Sequence, residues 1–185
     1  MILTEASIGG TSGINFNIGT LSLEGDHEHK TLLKEDYAEV MPNISPNGKW
    51  MVYMAMNSEE TGEIYVRPFP DVDNGKVQVS QGGGSAPLWS PDERELFYFG
   101  TDGIMAVTVE YEPTFNVLKP KVLLKSEKYI IPSTGSGRPW DIHPDGRFLM
   151  MKPAASAGEQ AAPAPSKIIV VTNWFEKIKE RVSAE

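Results

Sequence analysis

The sequence has no cysteine among its 185 residues. The chain can therefore form no disulfide, has no thiolate nucleophile and offers no thiolate ligand to zinc. This absence does not decide the cellular compartment, because an exported protein can also lack cysteine.

Basic residues are scarce as well. Lys and Arg number 17 against 25 Asp and Glu, so the formal net charge is −8 at pH 7. Nucleic-acid affinity comes largely from clustered Lys and Arg, and the charge balance therefore argues against a nucleic-acid partner.

Long apolar runs are also missing. No stretch reaches the roughly 20 apolar residues that a membrane-spanning helix needs, so we expect no membrane insertion. The opening segment MILTEAS has neither a basic region nor an apolar core and predicts no export signal. The default expectation is a cytoplasmic protein, or an extracytoplasmic one if the chain is a piece of an exported or membrane-anchored sensor.

Turn-forming residues, in contrast, are plentiful. The chain has 17 glycines and 14 prolines, and its hydrophobic fraction of 40% is a globular value. This composition predicts a turn-rich, all-β chain with a real core.

One hairpin pattern recurs along the chain. ISPNGKW at residues 44–50 has turn residues directly before an apolar run, and it returns as WSPDERELFY at 89–98 and IHPDGRFL at 142–149. The three prolines lie 45 and 53 residues apart. A hairpin repeated at about 40–45 residues is typical of β-propeller blades, each a sheet of four antiparallel strands. The second copy has Glu93 in place of glycine, which predicts a different turn geometry there.

This spacing divides the single predicted domain, residues 1–185, into approximate blades at 1–39, 40–86, 87–128 and 129–172. The first blade lacks a recognisable innermost strand. The run at residues 51–56 is apolar on both faces, which fits a sheet between two others. Residues 153–166 predict a mobile loop because they are rich in Ala, Pro, Ser and Gly, and residues 173–183 predict a short capped helix.

The repeated hairpin resembles the TolB-type, WD-like β-propeller repeat. Two further segments, IYVRPFP at 64–70 followed by Gly82–Gly84, and IVVTNWF at 169–175, are similar to the C-terminal half of propellers attached to bacterial serine/threonine kinases and related sensors. The resemblance implies a partial propeller of three to four blades with a binding function and no cofactor. A partial ring exposes a blade face at each end, so we expect a homodimer or another homo-oligomer.

Two groups of residues suggest chemistry. His27 and His29 alternate like metal ligands, but no third ligand follows at a suitable spacing, which favours a solvated turn. Ser133, Ser136, Asp141 and His143 are the residue types of a serine hydrolase. No Gly-x-Ser-x-Gly motif is present, and His143 stands at the serine position of the repeated turn, which favours a turn residue over a catalytic base.

The residues that we predict to bind a ligand are Arg67 and Arg138, each beside a proline near a strand end, and Trp89 and Trp140, which recur at repeat positions. The tryptophans also fit a core between blades. We therefore expect an interaction module that binds a protein, peptide or other ligand. A hydrolase and an oligomeric structural scaffold are the alternatives.

Overall fold

The computed structural model describes residues 1–8, 14–56, 62–125 and 140–151, all within the unit formed by residues 1–153. The described residues contain strands and no helix, which confirms the all-β prediction for this part of the chain. The strands are β1 (Ile2–Ile8), β2 (Ile14–Leu21), β3 (His29–Leu33), β4 (Ala38–Ile44), β5 (Trp50–Met56), β6 (Gly62–Pro68), β7 (Val77–Gln78), β8 (Ser85–Trp89), β9 (Glu95–Gly100), β10 (Gly103–Glu110), β11 (Asn116–Val117), β12 (Lys121–Lys125), β13 (Trp140–Ile142) and β14 (Phe148–Met150).

These strands form four antiparallel sheets in chain order. The first sheet is β1-β2-β3 and the second is β4-β5-β6-β7. In the third, the order is β11-β10-β9-β8, and β12 also pairs with β10. The fourth contains β13 and β14. The predicted loop at 153–166 and helix at 173–183 lie outside the described residues.

The middle strands of the second and third sheets are buried on both faces. In β5, Met51 and Tyr53 pack with the first sheet, while Val52 and Met54 pack with the third. This confirms the prediction that the run is buried on both sides. Side chains alternate between the faces of a strand, so a strand that is apolar at every position must have a partner on each side.

The third sheet follows the same rule. Leu96 and Tyr98 of β9 pack against the second sheet, and Phe97 and Phe99 pack against the fourth. Successive sheets are therefore held together by three apolar clusters, one between each neighbouring pair.

The repeated turn has the same hydrogen bonds in its first two copies. The Ser45 hydroxyl accepts from the Trp50 N–H at 3.0 Å and donates to the Asn47 side chain at 2.8 Å. The Ser90 hydroxyl accepts from the Glu95 N–H at 2.9 Å and donates to Asp92 at 2.7 Å. Each buried hydroxyl thus closes its turn from inside.

Glu93 corrects one prediction, because its turn has the same geometry as the glycine copies. Its φ of 62° is close to the 73° of Gly48, and the Glu93 N–H donates to the Ser90 carbonyl as the Gly48 N–H does to Ser45. The left-handed conformation costs a non-glycine residue about 1 kcal/mol. Two contacts offset this cost: the Glu93 carboxylate accepts from Asn47 at 2.6 Å, and its carbonyl accepts from the Tyr111 hydroxyl at 2.8 Å.

Removing a turn hydroxyl tests this account. We expect Ser90→Ala to lower the free energy of unfolding by about 1–2 kcal/mol, because the half-buried Glu95 N–H loses its side-chain acceptor. Urea denaturation measures the change, and Thr101→Ala, in an exposed turn of the same sheet, is the control. Equal stability of Ser90→Ala and the wild-type protein contradicts the assigned role.

Candidate functional site

An open groove lies where the repeated turns of the second, third and fourth sheets meet. Two adjoining openings of about 240 and 380 Å³ share Pro91, Ile142 and Pro144 as lining residues. We call the combined opening the turn groove. The lining residues used below are Pro46, Pro91 and Pro144, the apolar Phe97, Leu123, Ile142 and Phe148, and the acidic Asp92, Glu95, Asp141 and Asp145.

The three prolines stand at the same position in the three turns. Each ring is exposed to solvent, while the N–H of the residue before the proline and the N–H two residues after it donate to main-chain carbonyls of the same hairpin. Because proline has no N–H to satisfy, it can line an open surface without leaving a donor unpaired. The repeat therefore presents three rigid apolar rings to one groove.

Apolar side chains form the wall between the third and fourth sheets. Phe97 and Phe148 meet edge to face with ring centroids 5.1 Å apart. Leu123 of β12 is 44% exposed, and Ile142 is half-buried. A ligand in the groove would therefore cover apolar surface that now faces water.

Among the described residues, the charged side chains that line the turn groove are all acidic. Asp92 accepts hydrogen bonds from the Ser90 hydroxyl and the Arg94 N–H, and these bonds lower its pKa. Asp145 accepts from the Arg147 N–H and contacts His143, which lowers the pKa of Asp145. Both carboxylates are therefore ionised at neutral pH.

Trp89 and Trp140, two of the predicted binding residues, join neighbouring sheets. The Trp89 indole N–H donates to the Asn43 carbonyl at 3.3 Å, and that of Trp140 donates to the Ala86 carbonyl at 2.8 Å. Both side chains are buried, at 5% and 3% exposure. Trp89 also lines the turn groove, and a binding role for the two residues stays a prediction.

Irregularities in β4 and β8 position these carbonyl groups. Met41 and Ala86, 45 residues apart, both have positive φ, at 56° and 49°. Each lies within a register shift, between Val40 and Asn43 in β4 and between Ser85 and Leu88 in β8. The bulges increase the local bend of the strand edge that meets the next sheet. Neither position is glycine, but each is followed by a proline, Pro42 and Pro87, and a proline inside a strand is a sequence signal for an edge or a bulge.

Arg67 lies on a different surface from the two tryptophans. Its side chain is 7% exposed on the face of the second sheet that packs against the first. Its guanidinium donates to the Tyr53 hydroxyl at 3.0 Å, to the Val72 carbonyl at 2.8 Å and to the Glu35 carboxylate. The structure thus places Arg67 inside a buried polar network and away from Trp89. Its predicted ligand contact stays a prediction.

Glu39 is the member of this network that sequence reasoning missed. Its side chain is fully buried, and one carboxylate oxygen accepts from the Glu35 N–H at 3.1 Å. The other oxygen has no hydrogen-bond partner among the described residues. Burial and the nearby Glu35 carboxylate raise the pKa of Glu39 to about 7, although Lys76 and Arg67 act in the opposite direction.

Lys76 closes the outer side of the same network. Its ammonium donates to the Tyr37 hydroxyl and lies 4.2 Å from the centroid of the Tyr65 ring. A cation beside an aromatic face is attracted by the ring's negative potential. Arg67 and Lys76, the basic residues near Glu39, therefore both have partners within this network.

The two histidines of the metal hypothesis do not share a site in the structure. His27 is in an exposed turn and contacts the Ser22 carbonyl at 3.3 Å. His29 pairs with Glu5 at 2.6 Å, and the pair lies over Gly19, where an added Cβ would be 2.9 Å from both side chains. The described residues contain no group of three or more His, Asp or Glu that could hold a metal ion.

Two of the four residues of the hydrolase group, Ser133 and Ser136, lie outside the described residues. Asp141 is exposed in β13, where its carboxylate accepts from the Ile142 N–H at 2.9 Å. His143 is in the third repeated turn, and its ring nitrogen lies 2.9 Å from Asp145. The predicted binding residue Arg138 also lies outside the described residues.

Comparison with protein-family models finds no match. A search of curated proteins also finds none. Within the described part of the chain, no helix is long and apolar enough to cross a membrane.

The raised pKa of Glu39 predicts a pH-dependent stability. Between pH 4.5, the ordinary pKa of this side chain, and about pH 7, the unfolded chain loses the proton while the folded chain keeps it. One pKa unit corresponds to about 1.4 kcal/mol, so the free energy of unfolding should fall by about 3 kcal/mol over this interval and stay constant above it. Urea denaturation from pH 4 to pH 8 measures the fall.

A matched pair of variants separates Glu39 from the other titrating groups. Glu39→Gln should remove this component of the pH dependence, whereas Glu28→Gln, at an exposed position, should keep it. If the curves of the wild-type protein and Glu39→Gln run parallel, Glu39 does not titrate in this range.

Proposed function

We propose that this chain is a non-catalytic interaction module, built on TolB-like propeller blades, that binds a segment of a protein or a peptide in the turn groove. The propeller assignment is supported by four antiparallel sheets that follow one another in the chain and pack face to face. It is also supported by the repeated turn, which joins the first two strands of the second, third and fourth sheets.

The observation that carries the binding proposal is that three equivalent turns contribute to one groove. Pro46, Pro91 and Pro144 come from three different sheets and line adjoining openings. The groove is open and is lined by both apolar and acidic side chains, which suits an extended polypeptide better than a small molecule that must be enclosed.

Leu123 and Leu118 provide a matched test of this site. We expect peptides of 12 random residues, selected on the immobilised full chain, to bind saturably in a fluorescence anisotropy titration. Leu123→Ser should weaken that binding about tenfold, because burying one leucine is worth roughly 1.5–3 kcal/mol. Leu118→Ser is the control, since Leu118 directly follows β11 and is 43% exposed, and it is not among the residues that line the groove.

Absence of any saturable peptide would count against an interaction module. Equal weakening by the two leucine variants would place the binding outside the turn groove.

A second candidate function, an oligomeric scaffold, is favoured by an exposed apolar residue of the last described sheet. Leu149 of β14 is 73% exposed, and its neighbour Met151 is 46% exposed. Isolated apolar residues on a surface are ordinary, but two so close together suit contact with a second copy.

This scaffold candidate predicts self-association that Leu149→Glu disrupts. We expect the wild-type chain to sediment as a dimer at micromolar concentration and Leu149→Glu to sediment as a monomer, because two buried carboxylates would face each other across a symmetric contact. Leu23→Glu, with Leu23 67% exposed in a turn of the first sheet, is the control. A wild-type monomer across this range removes the candidate.

A further inference from the structure

The described residues that line the turn groove have an excess of negative charge. Asp92 and Asp145 have basic neighbours, with Arg94 at 4.0 Å and Arg147 at 2.8 Å. Glu95 and Asp141 differ, because no Lys, Arg or His of the described residues comes within 4.0 Å of either carboxylate.

The positions of Glu95 and Asp141 place this charge on the groove itself. Glu95 is the first residue of β9, directly after the second repeated turn, and Asp141 is in β13, directly before the third. Hydrogen bonds fix the main chain at both positions. The Glu95 N–H donates to the Ser90 hydroxyl, and the Ile142 N–H donates to the Asp141 carboxylate. Glu95 lines the opening between the third and fourth sheets, and Asp141 lines the adjoining opening that Pro46 also lines.

An occupant of this groove must match both features. The prolines, Phe148 and Leu123 favour apolar atoms, while the unneutralised carboxylates favour a cation. Lys and Arg side chains meet both needs, since an apolar stem ends in a charged head. An acidic partner, nucleic acid included, would be repelled by the same carboxylates.

We propose that the turn groove recognises an extended protein segment in which Lys or Arg alternates with apolar residues. The basic side chains pair with Glu95 and Asp141. This inference rests on the proposed binding function.

The selected 12-residue peptides supply the test. We expect the bound set to be enriched in Lys and Arg relative to the starting library. Replacing the basic residues of a bound peptide with Gln should weaken binding at least tenfold, and raising NaCl from 50 to 300 mM should weaken the parent peptide much more than the Gln version.

A charge-matched pair of protein variants tests the location. Glu95→Gln with Asp141→Asn should weaken the parent peptide about tenfold and leave the Gln version unchanged. The control, Asp102→Asn with Glu110→Gln, removes the same two negative charges at exposed positions outside the groove and should leave both affinities unchanged.

The outcomes separate this inference from the function on which it rests. Selected peptides that bind at the groove but are neutral or acidic overturn the cationic class and leave the interaction module standing. Equal weakening by the two variant pairs shows general attraction to an acidic protein and overturns the assignment to Glu95 and Asp141. If no peptide binds, both proposals are wrong.

Discussion

Burial of the middle strands on both faces is the constraint on which the other features of this chain depend. A strand such as β5, with apolar side chains at every position, cannot leave either face in water, so each inner sheet requires a neighbour on both sides. The sheets consequently follow one another as layers, and equivalent ends of successive sheets come close together. The turn groove is a product of this stacking, because Pro46, Pro91 and Pro144 are far apart in the chain and close only at the common end of the sheets.

The features that local chemistry determines were accessible from the sequence. Ser45 and Ser90 with their following proline and Asn or Asp predict a tight turn from five or six residues alone, and strand alternation predicts which residues are buried. The features that depend on tertiary contacts were not accessible. Glu93 adopts a positive φ because Asn47 and Tyr111, 46 and 18 residues away, bind it there.

The buried carboxyl of Glu39 shows the same limit. In the sequence it is one acid among 25, at the start of an apolar strand, where a charged side chain is ordinarily exposed. Its burial follows from the loop at residues 34–37, which brings Glu35 over it and supplies a backbone N–H donor. Arg67 was noticed because it stands beside proline at a strand end, yet that signal does not show which face of the strand it occupies. Its partners Glu35 and Val72 come from two separate loops, the one before β4 and the one after β6.

The distribution of basic residues explains why the groove stays acidic. Each repeated turn has a basic residue two positions after its Asn or Asp, namely Lys49, Arg94 and Arg147, and in the last two copies it pairs with the turn aspartate. Arg67 and Lys76 are engaged with Glu35 and Tyr37 in the network on the opposite face of the second sheet. Within the part of the chain that the structure describes, this local pairing leaves no basic side chain within 4.0 Å of the Glu95 and Asp141 carboxylates. The same repeat that supplies the prolines of the groove therefore also places acidic side chains beside them, and this combination underlies the proposal of a basic partner segment.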